Sequence, residues 1–295
     1  SVNYVEMKDD TTKVKIFKNV FEVPNDSATS SEARRKTPLA GAVLQILNED
    51  KTPVFYEGRE MIFTTGESFT LFEKQLVAGK TYWLHEVKPA PGYGYADDVK
   101  FTVSEDGSVD IVEMEDKPTI AAITKTDITG SKEIPGCEMQ LVDKNGTVID
   151  QWISGEGPHI ITAKLLADET YRLIETNPAP GYAYAKDVTF TVNHDGTVNK
   201  VEMKDDITKV EILKVNAETG RPLAGAVFEI WDHAGNVIDK WVSTETAHKV
   251  YGTLNAGETY ILHEVSAPSG YKKMEDVEFK VNDYADVLTI IADNR

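Results

Sequence analysis

Lysines, glutamates and aspartates recur in this chain at strand positions where apolar side chains would be expected. The glutamates sit in YWLHEVKPAPGY (Tyr82–Tyr93), YRLIETNPAPGY (Tyr171–Tyr182) and YILHEVSAPSGY (Tyr260–Tyr271). Side chains alternate along a strand, so Tyr82, Leu84 and Glu86 share one face, as do Tyr171, Leu173 and Glu175, and Tyr260, Leu262 and Glu264. The same parity aligns Lys18 with Val14 and Ile16, Lys125 with Ala121 and Ile123, and Lys214 with Val210 and Ile212. Closing strands end likewise: Val112, Met114, Asp116, then Val201, Met203, Asp205. In the last such strand, LTIIADNR, Asn294 continues the face of Leu288, Ile290 and Ala292, whereas Asp293 is preferred on its separation from Glu264. An inward charge is costly without a partner. Each set is therefore expected to meet, giving at least a buried amine that shares a proton with neighbouring carboxyls.

The elements that position these residues repeat about every ninety residues, a unit large enough to enclose its own core. The second and third copies each open with a strand (TIAAITKTD, TKVEILKVN) and a small-residue turn. A hairpin with Asn-Gly or Gly-Asn chemistry follows, then the tyrosine–glutamate strand, a Pro-Gly turn and two closing strands. About seven short strands per copy and no amphipathic helix predict an all-β chain of three tandem immunoglobulin-like β-sandwich domains in an elongated array. The boundaries are placed at 11–116, 117–206 and 207–295. Residues 1–10, SVNYVEMKDD, resemble the internal NKVEMKDD and are expected to be the tail of a preceding repeat or a linker. The first copy carries a polar insertion, NDSATSSEARRK, and a second one within PVFYEGREMIFTTGESFTLF, and it lacks the counterpart of Trp152 and Trp241.

Asp plus Glu number 49 against 31 Lys plus Arg, a net charge of -18. That field repels phosphate backbones and anionic lipid, so no nucleic-acid partner and no membrane contact are expected. No apolar run approaches the roughly 20 residues of a membrane span. Cys137 is the sole cysteine and aligns with Ala42 and Ala226, so it is expected to fill a small core site. No disulfide can form within the chain. No G-x-S-x-G or H-E-x-x-H motif is present, and His85, His159, His248 and His263 are too scattered for a metal site. No cofactor and no metal are expected, and the chain is not expected to be an enzyme.

Across nearly its whole length the chain resembles the CnaB-like, or SpaA-like, domains of Gram-positive surface proteins and pilins. YRLIETNPAPGY is close to the pilin E-box pattern, and the pairs Lys125–Asp127 and Lys214–Asn216 match the family's first strand. The resemblance implies an intramolecular isopeptide bond in each domain between the lysine amine and an Asp or Asn side chain, assisted by the glutamate as proton shuttle. Carried over by position, the crosslinks are Lys18–Asp116 with Glu86, Lys125–Asp205 with Glu175, and Lys214–Asp293 with Glu264, Asn294 being the alternative acceptor. In copy one, Val20 departs from the first-strand pattern. The resemblance further implies a structural stalk or pilin-like segment of an extracellular, cell-wall-anchored protein, its anchor outside this chain and its partners the adjacent domains. The alternative is an adhesin region that binds host protein or glycan through the loop-rich first domain, where Phe55, Tyr56 and the Arg34–Arg35–Lys36 cluster offer contacts.

Overall fold

The computed structural model describes residues 10–20 and 37–294. The expected tail of a preceding repeat, the NDSATSSEARRK insertion and the Arg34–Arg35–Lys36 cluster lie outside the described residues, apart from Asp10. All regular structure among the described residues is β-strand, and no helix is long and apolar enough to cross a membrane.

The first repeat contains β1 (Lys13–Val20), β2 (Thr37–Pro38), β3 (Val43–Asn48), β4 (Phe55–Tyr56) and β5 (Arg59–Glu60). It continues with β6 (Ile62–Thr64), β7 (Thr70–Glu73), β8 (Thr81–Lys88), β9 (Val99–Thr102) and β10 (Val109–Asp116). The second has β11 (Ile120–Asp127), β12 (Glu138–Val142), β13 (Val148–Ile153), β14 (His159–Thr162), β15 (Thr170–Asn177), β16 (Val188–Thr191) and β17 (Asn199–Asp205). The third has β18 (Lys209–Asn216), β19 (Val227–Trp231), β20 (Val237–Val242), β21 (His248–Tyr251), β22 (Thr259–Ser266), β23 (Val277–Lys280) and β24 (Leu288–Asn294).

Each repeat forms two sheets. In the second they run β14-β11-β17 and β13-β12-β15-β16, and in the third β21-β18-β24 and β20-β19-β22-β23. The first keeps this plan as β7-β1-β10 and β6-β3-β8-β9, with β2 also on β1 and β4-β5 standing apart as a hairpin. Alternation produces the core. β1 reads exposed-side Lys13 and Lys15 against buried Val14, Ile16 and Lys18, and β8 buries Tyr82, Leu84 and Glu86 in the same manner. These strands enclose Val14, Ile16, Leu44, Ile46, Leu84, Val112 and Met114 in the first repeat, and Val210, Ile212, Phe228, Ile230 and Leu262 in the third. In each repeat the tyrosine of the glutamate strand also ties down the preceding loop: the hydroxyls of Tyr82, Tyr171 and Tyr260 accept from the amides of Val77, Leu166 and Asn255.

One topological fact governs the site. The first and last strands of a repeat are neighbours and run parallel: β1 pairs with β10 from Lys13↔Val109 to Val20↔Asp116, and β18 with β24 from Val210↔Leu288 to Asn216↔Asn294. Residues at the ends of these strands, far apart in sequence, therefore meet.

Candidate functional site

In the first repeat β1 delivers Lys18, β8 delivers Glu86 and β10 delivers Asp116, all buried. Lys18 Nζ donates to Asp116 Oδ1 and stands 2.7 Å from Glu86 Oε1. The second repeat matches it: Lys125 Nζ donates to Asp205 Oδ1 and lies 3.0 Å from Glu175 Oε1. In the third, Lys214 Nζ is 3.4 Å from Glu264 Oε1 and 3.6 Å from Met274 Sδ, beneath the ring of Phe228. Lys18, Lys125 and Lys214 are thus each brought to the glutamate of their own repeat.

The glutamates are held from behind. Glu86 Oε2 accepts from the Ala96 amide at 2.7 Å, Glu175 Oε2 from Ala185 at 2.7 Å, and Glu264 Oε2 from Met274 at 2.6 Å. The donor comes each time from the stretch after the turn that ends at Gly92, Gly181 or Gly270. This second contact was not read from the sequence, although a residue at a fixed offset from the glutamate in all three copies is its signal. With Oε2 pinned, Oε1 is aimed at the amine, within ion-pair range but without hydrogen-bond geometry among the described residues.

Electrostatics follow from burial. Desolvation pushes the Asp116 and Asp205 carboxyls up to about 7, the lysine opposing this and the glutamate adding to it. Desolvation likewise lowers Lys214, against the pull of Glu264 and Asp293. Near neutral pH a substantial fraction of Asp116 and Asp205 is therefore protonated, the form in which a carboxyl carbon is electrophilic.

Strand register bears on the choice between Asp293 and Asn294 in the third repeat. Asp116 stands opposite Val20, two residues beyond Lys18, and the residue opposite Asn216, two beyond Lys214, is Asn294. Asp293 falls opposite Val215 and so belongs to the other face of β24 from buried Ala292. Lys-to-acid matching is a property of register between strands, which separation along the chain does not capture.

Cys137 fills a small buried site, as do Ala42 and Ala226. Its Sγ also reaches within 3.8 Å of Asp205 Oδ2. Cys137, Glu175 and Asp205 place ligand atoms within 4.8 Å of one another, but Lys125 Nζ already lies against both carboxyl groups. Burial, followed by the charge of Glu175, drives the thiol up to about 12, so it is a poor nucleophile or metal ligand. The histidines take structural places: His159 and His248 stack on Trp152 and Trp241 and bond to Asp150 and Asp239. In the first repeat Phe63 occupies the tryptophan's register position, opposite Leu44 as Trp152 is opposite Met139.

The sequence profile of the SpaA prealbumin-like fold domain matches residues 27–118, 120–207 and 208–295. The chain belongs to that family. β1 precedes the first matched stretch, yet it pairs along its full length with β10 inside that stretch. Curated protein sequences give no match. Among solved structures, the SpaA repeats resemble the Bacillus anthracis TIE protein at 21% identity, with 97% of this chain aligned to 51% of that one and a TM-score of 0.43. The chain thus spans about half the length of that relative. A streptococcal ancillary pilin aligns at 17% identity, over 97% of this chain and 99% of the pilin, with a TM-score of 0.33. The shaft pilin SpaA of Lactobacillus rhamnosus GG aligns at 16% identity, over 66% and 97% of the two chains, with a TM-score of 0.29.

Proposed function

We propose that this chain is a stalk segment of an extracellular Gram-positive surface protein, and that each SpaA repeat locks itself with an amide between its first and last strands. One observation carries the reading. In the first two repeats the lysine of the first strand and the aspartate that ends the last lie side by side in the core, beside a glutamate whose Oε1 is aimed at the amine.

The chemistry is a condensation within the folded chain. The neutral Lys18 amine attacks Cγ of protonated Asp116; Glu86 takes the amine proton and returns it to the departing hydroxyl, and water leaves. Burial supports the protonated acid, since it disfavours the carboxylate and pushes Asp116 up to about 7. Folding supplies the proximity, and effective molarities of well-oriented pairs reach about 10⁵ M or more. Reaction also replaces two buried ionisable groups by a neutral amide. In the third repeat the register favours Asn294, so ammonia is the leaving group there. Each centre reacts once and is not regenerated, which separates this chemistry from enzymatic turnover.

The bond suits a load-bearing part. Tension entering at Lys13 runs along β1 to Lys18, crosses the amide to Asp116 and leaves toward the next repeat. The residues between those two positions carry none of it. Only the connectors Asp116–Lys125 and Asp205–Lys214 stay in the force path between centres. Adjacent domains of a longer surface protein are the natural partners. Intact mass under denaturing conditions tests the proposal: the chain should fall short of its sequence mass by two waters and one ammonia. An undiminished mass refutes the crosslinks.

A further inference from the structure

The first repeat has a feature the other two lack. Between Val54 and Met61, which pair with each other and with Ile46, the hairpin β4-β5 is spliced into the sheet edge. Its turn is a two-residue loop with left-handed φ at both Glu57 (50°) and Gly58 (77°), the geometry that keeps the two strands twisted together. The root is buried, with Val54 and Met61 in the core, while the strands carry Phe55 at 60% exposure and Tyr56 at 37%. The turn before the hairpin, Asn48–Thr52, has counterparts in Asp143–Thr147 and Asp232–Asn236, but there the chain runs on into β13 and β20 without a hairpin.

Beside the hairpin lies a cleft of about 470 Å³ lined by Tyr56, Arg59, Glu60, Met61, Phe72 and Gln75. That volume is within the roughly 300–1,000 Å³ of small-ligand sites. Its polar groups are held in reserve. Glu60 Oε2 accepts from Gln45 at 2.9 Å and leaves Oε1 open, and Arg59 and Gln75 have no hydrogen-bond or ion-pair partner among the described residues. The cleft therefore offers an aromatic face, a fork of N–H donors, an amide and a carboxylate oxygen in one place. A ligand that uses all of these has an apolar face and a rim of hydroxyls that both donate and accept. Glu57 and Glu60 against the single Arg59, in a chain of net charge -18, oppose an anionic one.

We infer that the hairpin Phe55–Glu60 and the cleft beside it form a binding site for a neutral saccharide, with a pyranose ring against Tyr56 and its hydroxyls on Arg59, Glu60 and Gln75. The site is independent of the crosslink centres, whose residues lie in the core of the repeat.

The test uses the whole chain on a printed array of neutral and acidic oligosaccharides, with an unglycosylated polypeptide spot as control. Each hit is then titrated by NMR against wild type, Tyr56→Ala, Tyr56→Phe and Arg59→Ala. Saturable binding to neutral oligosaccharides is expected, weakened about tenfold or more by Tyr56→Ala and Arg59→Ala, the equivalent of losing one good contact. Tyr56→Phe should retain most of the affinity. The substituted side chains are exposed, so melting temperature should not move and a loss of binding reads on the site. No binding, binding confined to acidic glycans or to the polypeptide spot, or affinity unchanged by both alanine variants would each overturn the assignment.

Discussion

Replacing Glu175 by Gln isolates the proton shuttle from the packing. Glutamine keeps the volume of the side chain and a carbonyl oxygen for the Ala185 amide, so the loop that pins Glu175 Oε2 is retained. It removes the carboxylate beside Lys125 and Asp205 that takes a proton from the amine and returns it to the hydroxyl. The second repeat should then fold without its amide, and the variant should gain one water in mass over wild type, after allowing for the substitution. Lys125 and Asp205 are 80 positions apart. By the loop-closure entropy that describes disulfides, closing such a loop is worth about 4.5 kcal/mol. For a domain of this size about 4–8 °C accompanies each kcal/mol, so the second repeat should melt about 18–36 °C lower while the other two are unaffected. Denaturing mass spectrometry reads the bond, and calorimetry resolves the repeat that has lost it. A variant that still lacks the water would remove Glu175 from the mechanism. A variant that lacks the bond yet melts with wild type would refute the entropic account of its stabilisation.

Three more outcomes follow from the same geometry. Asn294→Ala should abolish the third crosslink and restore the mass of one ammonia, whereas Asp293→Ala should leave that crosslink intact; the reverse pattern would overturn the register argument. A protease site placed between Glu57 and Gly58 lies inside the loop closed by Lys18 and Asp116, so the cleaved chain should run as one covalent species under denaturing conditions. With Lys18→Met it should separate into two fragments, and separation without that substitution would exclude the first bond. Bond formation after refolding should stop gaining from a rise in pH above about 7, because there Asp116 and Asp205 lose the proton that makes them electrophilic as fast as the amine loses its own. The sign follows from the raised folded value: these acids hold their protons below about 7 and release them above it. A rate that keeps climbing by about tenfold per unit above about 7 on time-resolved mass measurements would count against a protonated acid as the reacting form.

What could be read from the sequence was what depends on local periodicity. Tyr82, Leu84 and Glu86 face inward because the pleat alternates, and the same rule placed Lys18, Lys125 and Lys214 on the core side without any knowledge of their partners. Turn chemistry gave the strand count, and seven strands are found in the second and third repeats. What could not be read depends on how strands meet. Parallel pairing of β1 with β10 joins residues 98 positions apart, and nothing in either strand alone sets that register. Asp293 and Asn294 therefore both stood as the third acceptor, and in a pleated strand that one residue is the difference between the core and the opposite face. The Ala96, Ala185 and Met274 amides were missed for a related reason, since a backbone donor leaves no residue-type signature. Cys137 shows the converse: its small, buried place was legible from Ala42 and Ala226, but its approach to Asp205 is a contact across 68 positions that only the fold creates. The glutamate was the most informative residue because it violates the pattern around it. An apolar strand tolerates a buried carboxyl only when something meets it, and here the meeting partners are the two ends of the repeat.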